Sequence, residues 1–300
     1  MLIGVKLSRR SLLAVLVASA AARSARAEAP DAGDLFERRD LTVEGDPTLG
    51  RRFTLFFPRG LAPNERVPLL VLLHGLGESI DERLGVYAWL DRYGLGTAYE
   101  RLEHPPIARA GPRADWTATR LAEVNAMLGA QPFRGLAIAC PFTPNVYKQP
   151  NPGAAIDRYA RWIADTVLPR ARAEAPVWPD AAHTTLDGCS LGGFVGLEVF
   201  LRVPELFAAW GGVQSAIGEG SAGAYAERIA RALARTGPRA LHIETSEADP
   251  FCSANEALSR ALGDRKVAHE LRVLPGPHDQ PWLREAGTLE MLLWHDRLPR

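Results

Sequence analysis

The run Gly188-Cys189-Ser190-Leu191-Gly192-Gly193 constrains this chain more than any other stretch of it. Ala182-His183-Thr184-Thr185-Leu186 before it reads as a short strand, and Phe194 to Leu201 after it as an apolar helix. Gly-x-Ser-x-Gly between a strand and a helix is the layout of a nucleophile elbow, a sharp turn that presents a serine at the edge of a sheet. Such a turn is strained, and a side chain at Gly188 or Gly192 would collide with the neighbouring strand or helix. The expected result is an open Ser190 hydroxyl at the start of a helix. A tight turn with no chemistry is the alternative reading of the same residues.

A serine hydroxyl is a weak nucleophile and needs a base within hydrogen-bond reach. On a scaffold of this kind the partners follow the serine as acid, then histidine. Leu241 to Thr245 reads as a strand and Ser246-Glu247-Ala248-Asp249-Pro250 as the loop leaving it. His269 to Leu274 reads as the next strand, followed by Pro275-Gly276-Pro277-His278-Asp279. Asp249 and His278 would then stand at the C-terminal ends of two successive strands, the edge where parallel-sheet proteins place their sites. Glu247 is the alternative acid. Asp279 adjoins His278, too close in the chain for its carboxylate to reach that imidazole's Nδ1. Of the other histidines, His183, His242 and His269 read as core or edge residues. His104 lies in a proline-rich loop, and His295 reads as a surface residue of the last helix.

The apolar run Val67 to Leu73 reads as a strand buried on both faces. It ends in His74-Gly75-Leu76-Gly77-Glu78. In serine hydrolases built this way the loop after that strand gives one backbone N–H to an oxyanion hole, and the residue after the nucleophile gives the other. Those residues are Leu76 and Leu191. His74 is a candidate for the substrate pocket, as are Asn145 and Tyr147, which leave the strand Leu136 to Cys140 at the same edge.

These pieces, His74-Gly75-Leu76-Gly77, Gly188 to Gly193, Asp249-Pro250 and His278-Asp279, resemble the α/β-hydrolase superfamily. Within it the chain looks most like the branch of enterochelin esterase-like, feruloyl esterase-like and mycolyltransferase-like proteins. The resemblance implies an α/β-hydrolase fold, a mostly parallel sheet with helices on both faces. It also implies a serine esterase with no cofactor, acting on a small-molecule or polymer-linked ester. Gln280 departs from the branch, which often has an aromatic residue after His-Asp, and Trp282 is the candidate replacement. The segment 78–133 has no counterpart and reads as a helix with a lid-like loop carrying Tyr87, Trp89, Tyr93, Tyr99 and Trp116, most of them expected as a satellite core under that loop and not as substrate contacts.

The order of strands and helices fits one α/β domain over 28–300. Residues 1–27 have the layout of an export signal, with Ser8-Arg9-Arg10-Ser11-Leu12-Leu13 similar to a twin-arginine motif and Ala25-Arg26-Ala27 as a cleavage site. The apolar stretch from Leu12 to Ala22 is too short to span a membrane. The formal net charge is zero, but residues 1–27 hold five basic residues and no acid. The remainder, with 30 basic against 35 acidic residues, is a poor match for nucleic acid or an anionic membrane. No residues have metal-ligand spacing. Cys189 and Cys252 sit in loops that must converge, so a disulfide between them and three free thiols stand as equal expectations. Acyl transfer with the same triad, peptidase activity and a silent binding module are the other functions compatible with this scaffold.

Overall fold

Alternating burial organises the centre of the molecule. In β3 (Leu69–Leu73) every residue is buried, with Leu69, Val71 and Leu73 in one apolar cluster and Leu70 and Leu72 in another. A strand with both faces covered has to be apolar throughout. The computed structural model describes residues 36–300; the export segment expected at 1–27 lies outside them. Eight strands form one sheet in the order β1-β2-β4-β3-β5-β6-β7-β8. The strands are β1 (Phe36–Thr42), β2 (Arg52–Pro58), β3, β4 (Ala137–Pro141), β5 (Thr184–Gly188), β6 (Ala209–Val213), β7 (Ala240–Ala248) and β8 (Glu270–Pro277). β2 runs antiparallel to β1 and β4, and all later pairings are parallel.

The helices follow the strands. α1 (Glu82–Val86), α2 (Ala88–Asp91), α3 (Leu95–Glu103) and α4 (Ala118–Ala130) fall between β3 and β4. α5 (Pro152–Trp162) continues through a π-turn into Leu168–Glu174. α6 (Leu191–Phe200), α7 (Ala222–Thr236), α8 (Cys252–Asp264) and α9 (Thr288–Arg297) follow, with a single helical turn at Gln280–Trp282 before α9. Ile156, Tyr159, Ile163 and Val167 form a buried stripe, and together with α6, α7 and α8 it covers one sheet face. α2, α3, α4 and α9 cover the other.

The segment expected to be a lid-like loop is largely this second layer. Trp89, Tyr93, Tyr99 and Trp116 are buried among Leu70, Leu72 and Ile138 as core, and Tyr93 also reaches the cleft at Ser190. Desolvating rings of that size against the sheet outweighs leaving them in a mobile loop. No helix among the described residues is long and apolar enough to cross a membrane.

Candidate active site

The turn between β5 and α6 is as tight as its glycines imply. Ser190 has φ 54° and ψ −117°, a conformation an L-residue adopts only when its surroundings impose it. The Ser190 N–H donates to Val213 O (2.9 Å), and the Ser190 carbonyl accepts from Ala216 N (2.9 Å), which pins the turn to the end of β6. A Cβ on Gly192 would lie 2.4 Å from Leu73 O and 2.7 Å from His74 O, both backbone atoms that cannot swing aside. Gly192→Ala is therefore expected to lose about 1–3 kcal/mol or more of stability, or to yield no soluble protein. Urea unfolding checks this, and an unchanged midpoint contradicts it.

β7 and β8 bring the other two groups to Ser190. His278 Nε2 lies 3.1 Å from Ser190 Oγ, and His278 Nδ1 lies 2.8 Å from Asp249 Oδ1. A carboxylate only accepts, so Nδ1 carries the proton and Nε2 is free to take one from the hydroxyl. Asp249 is held by the Phe251 N–H on Oδ1 (3.0 Å) and the Thr245 hydroxyl on Oδ2 (2.7 Å). Glu247, the alternative acid, is exposed, because β7 runs on to Ala248 where a loop from Ser246 was expected. A register shift between Ser246 and Ala248 then turns Asp249 inward. Asp279 is occupied elsewhere: it accepts from the Trp282 N–H (2.8 Å) and pairs with Arg113 (3.2 Å).

Leu76 and Leu191 each open a helix, at Leu76–Glu78 and Leu191–Phe200. A first-turn amide has no acceptor within its own helix. Leu76 lines the cleft beside Ser190.

Residues unforeseen in the sequence complete that cleft. The Tyr93 hydroxyl accepts from the Gly75 N–H (3.3 Å) and donates to the Glu78 carboxylate. Gln280 Nε2 donates to the other Glu78 oxygen (3.1 Å), and burial pushes the Glu78 carboxyl above its ordinary range. On the opposite wall Gln214, itself at φ 49°, donates to Ser246 Oγ (2.6 Å) and to Pro277 O (3.1 Å), bracing the loop that carries His278. Only the polar type of these residues was visible in the chain; their meeting depends on contacts up to 202 positions apart.

Four pocket candidates lie elsewhere. His74 is fully buried, its Nδ1 donating to Gly75 O (2.9 Å) and its Nε2 accepting from the Thr143 N–H (2.8 Å), so both ring nitrogens are spent on backbone. Asn145 caps a short helix by accepting from the Tyr147 N–H (3.1 Å), and Tyr147 stacks on Phe194 at 5.6 Å between centroids. Trp282 is buried with its Nε1–H on Pro275 O (2.9 Å), and Gln280 takes the place by the cleft. His295 is also buried, not at the surface, and its Nε2 lies 2.9 Å from Asp187 Oδ2, directly beneath the elbow.

Cys140, Cys189 and Cys252 are free thiols. The Cys189–Cys252 bond is not formed: Cys189 packs in the cluster that holds Tyr93, and Cys252 starts α8, whose buried side chains belong to the other cluster. Among the described residues no group of three or more His, Cys, Asp or Glu is placed to hold a metal ion. A larger cavity of about 310 Å³, lined by Glu44, Asp46, Arg158 and Trp162 among others, has neither a serine nor a histidine in its walls.

The burial of His74 gives a pH signature. Burial pushes His74 down to about 4. In the unfolded chain the ring takes up a proton below about pH 6.5. The folded state refuses that proton until about pH 4. Stability present above pH ~6.5 is therefore lost as pH falls toward the folded value, by about 1.4 kcal/mol per pH unit. The stability difference between the wild type and His74→Gln is expected to narrow by that slope between pH 6.5 and 4.5. A constant difference across that range, measured by urea unfolding, contradicts it.

No protein-family model and no curated protein matches the chain in sequence. Solved structures do match in shape. A ferulic acid esterase aligns at TM-score 0.64 with 17% identity, over 88% of this chain and 100% of its own. An S-formylglutathione hydrolase from Staphylococcus aureus aligns at TM-score 0.58 with 13% identity, over 87% and 98%. The enterobactin esterase of Shigella flexneri aligns at 0.52 with 16% identity, over 87% of this chain and 59% of its own. With the sheet order above, these likenesses define the α/β-hydrolase fold.

Proposed function

We propose that the protein is a serine esterase that cleaves a carboxylic ester through an acyl-enzyme. The observation that carries this reading is the unbroken chain from Ser190 Oγ through His278 to Asp249, at 3.1 and 2.8 Å, starting on a strained turn. Ser190 attacks the ester carbonyl carbon while His278 Nε2 takes its proton. The Leu76 and Leu191 N–H groups hold the oxyanion that forms. The carbonyl is restored as the bond to the alcohol breaks, and His278 returns the proton to the leaving oxygen. Water then repeats the sequence on the acyl-enzyme, releasing the acid and freeing Ser190. Asp249 keeps the imidazole in the required tautomer and stabilises its charged form. Tyr93, Glu78 and Gln280 support the oxyanion side, and Gln214 supports the histidine side. Two of the fold neighbours, a ferulic acid esterase and an enterobactin esterase, are esterases, which supports this reading.

The test is labelling with a small fluorophosphonate together with turnover of p-nitrophenyl acetate. Both are expected, with one label per chain. A protein that neither reacts nor turns over is a silent module on a hydrolase scaffold.

We read the working form as exported, from the paired arginines Arg9 and Arg10 and the cleavage pattern Ala25-Arg26-Ala27. Mass spectrometry of the exported form is expected to find Glu28 at its N-terminus, and Arg9→Lys with Arg10→Lys to leave the precursor inside the cell. An exported chain that retains residues 1–27 contradicts the signal.

A further inference from the structure

The cleft at Ser190 is small and its inner wall is fixed. Its volume is about 80 Å³. Pockets that enclose drug-sized ligands hold about 300–1,000 Å³. The inner wall is the Tyr93–Glu78–Gln280 chain. Tyr93 cannot withdraw easily: it is nearly fully buried, its ring meets Trp89 edge-on at 5.1 Å, and its hydroxyl accepts from the Gly75 N–H next to Leu76. Gln280 lies two positions after His278, so moving it disturbs the histidine loop. Widening the cleft would therefore break hydrogen bonds that hold both sides of the proposed catalytic machinery.

The chemistry of the wall acts in the same direction as its size. Glu78, Gln280 and Gln214 present polar groups to the cleft. Glu78 and Gln214 are buried and bonded within the wall, while Gln280 is partly exposed, and a long alkyl or aryl acyl chain pressed against it would strip its water and return no hydrogen bond. Leu76 and Leu283 are the aliphatic side chains that line the cleft, and a two- to four-carbon acyl group is of a size to pack on Leu283. We propose that this cleft selects short acyl groups, of acetyl to butyryl size, and excludes hydroxycinnamoyl groups, in contrast to the feruloyl esterases whose fold it shares. The inference rests on the serine-esterase reading and adds the substrate class.

The experiment holds the leaving group constant and varies the acyl group: p-nitrophenyl acetate, butyrate, octanoate and ferulate, each corrected for its spontaneous rate. kcat/KM for acetate or butyrate is expected to exceed that for octanoate and ferulate by about a hundredfold, within what a close-fitting pocket discriminates. Leu283→Ala, which enlarges the cleft without touching its hydrogen bonds, is expected to raise octanoate relative to acetate about tenfold. Equal or greater kcat/KM on octanoate or ferulate, from a protein that fluorophosphonate labels at Ser190, overturns the size selection and leaves the esterase reading standing. Absence of both label and turnover on every ester overturns both.

Discussion

Ser190→Ala is expected to lower kcat on an ester by about a thousandfold or more, with the fold intact, because members of a hydrogen-bonded triad act as a unit. The site explains the separation of the two effects. Removing Oγ deletes the group that meets His278 Nε2 at 3.1 Å, while the bonds that shape the turn are made by the Ser190 backbone to Val213 and Ala216. Alanine keeps those bonds and must adopt the same positive φ that serine already tolerates. Ester turnover and a thermal melt on the same preparation check the prediction. A variant that retains near-normal turnover places the nucleophile elsewhere. A variant that fails to fold would mean that the hydroxyl stabilises the turn.

Asp249→Asn is expected to lower kcat by about a hundredfold to ten-thousandfold with KM little changed. Three donors converge on this carboxylate: His278 Nδ1–H, the Phe251 N–H and the Thr245 hydroxyl. Asparagine offers one acceptor and one donor group where three donors point. If its oxygen stays toward His278 and Phe251, the Thr245 hydroxyl must turn to accept, and the imidazole keeps its tautomer but loses the charge that stabilises its protonated form. If the amide sits the other way, its NH₂ faces Nδ1 and the tautomer reverses. Either arrangement slows proton transfer. Glu247→Gln, at an exposed position near the end of β7, is expected to leave the rate within about twofold, as an ordinary surface change does. The two results reversed would make Glu247 the acid.

The sequence was most readable where structure is set by near neighbours. The strand-turn-helix around Ser190 is local, and the clashes at Gly188 and Gly192 follow from residues adjacent in the turn or in the strand beside it. Asp249 and His278 were legible as strand ends because buried parallel strands are apolar and stop where polar residues and prolines begin. Strand limits at the sheet margin were less legible. β1, at Phe36–Thr42, is an example: Glu37, Arg38, Arg39 and Asp40 are exposed on an edge strand and leave little apolar pattern to read.

The residues that failed as sequence predictions depend on distant packing. Nothing next to His74 announces that the Thr143 amide occupies its Nε2, 69 positions away. Likewise the last helix looked solvent-facing at His295 until Asp187, 108 positions earlier, met it in the core. Glu78 reads as one more polar loop residue, yet it joins Tyr93 on the helical layer to Gln280 in the histidine loop. The chain places these groups by folding, and no local periodicity encodes where they arrive.

The central claim is that Ser190 itself becomes acylated during turnover. The direct measurement is rapid acid quench of p-nitrophenyl acetate turnover, followed by peptide mapping with mass spectrometry. One acetyl group per chain is expected on the peptide that contains Ser190, appearing with the first burst of p-nitrophenol and missing from Ser190→Ala. An acetyl group carried by Cys189 or any other residue at the same rate as the burst, or turnover that continues in the Ser190→Ala protein, contradicts it.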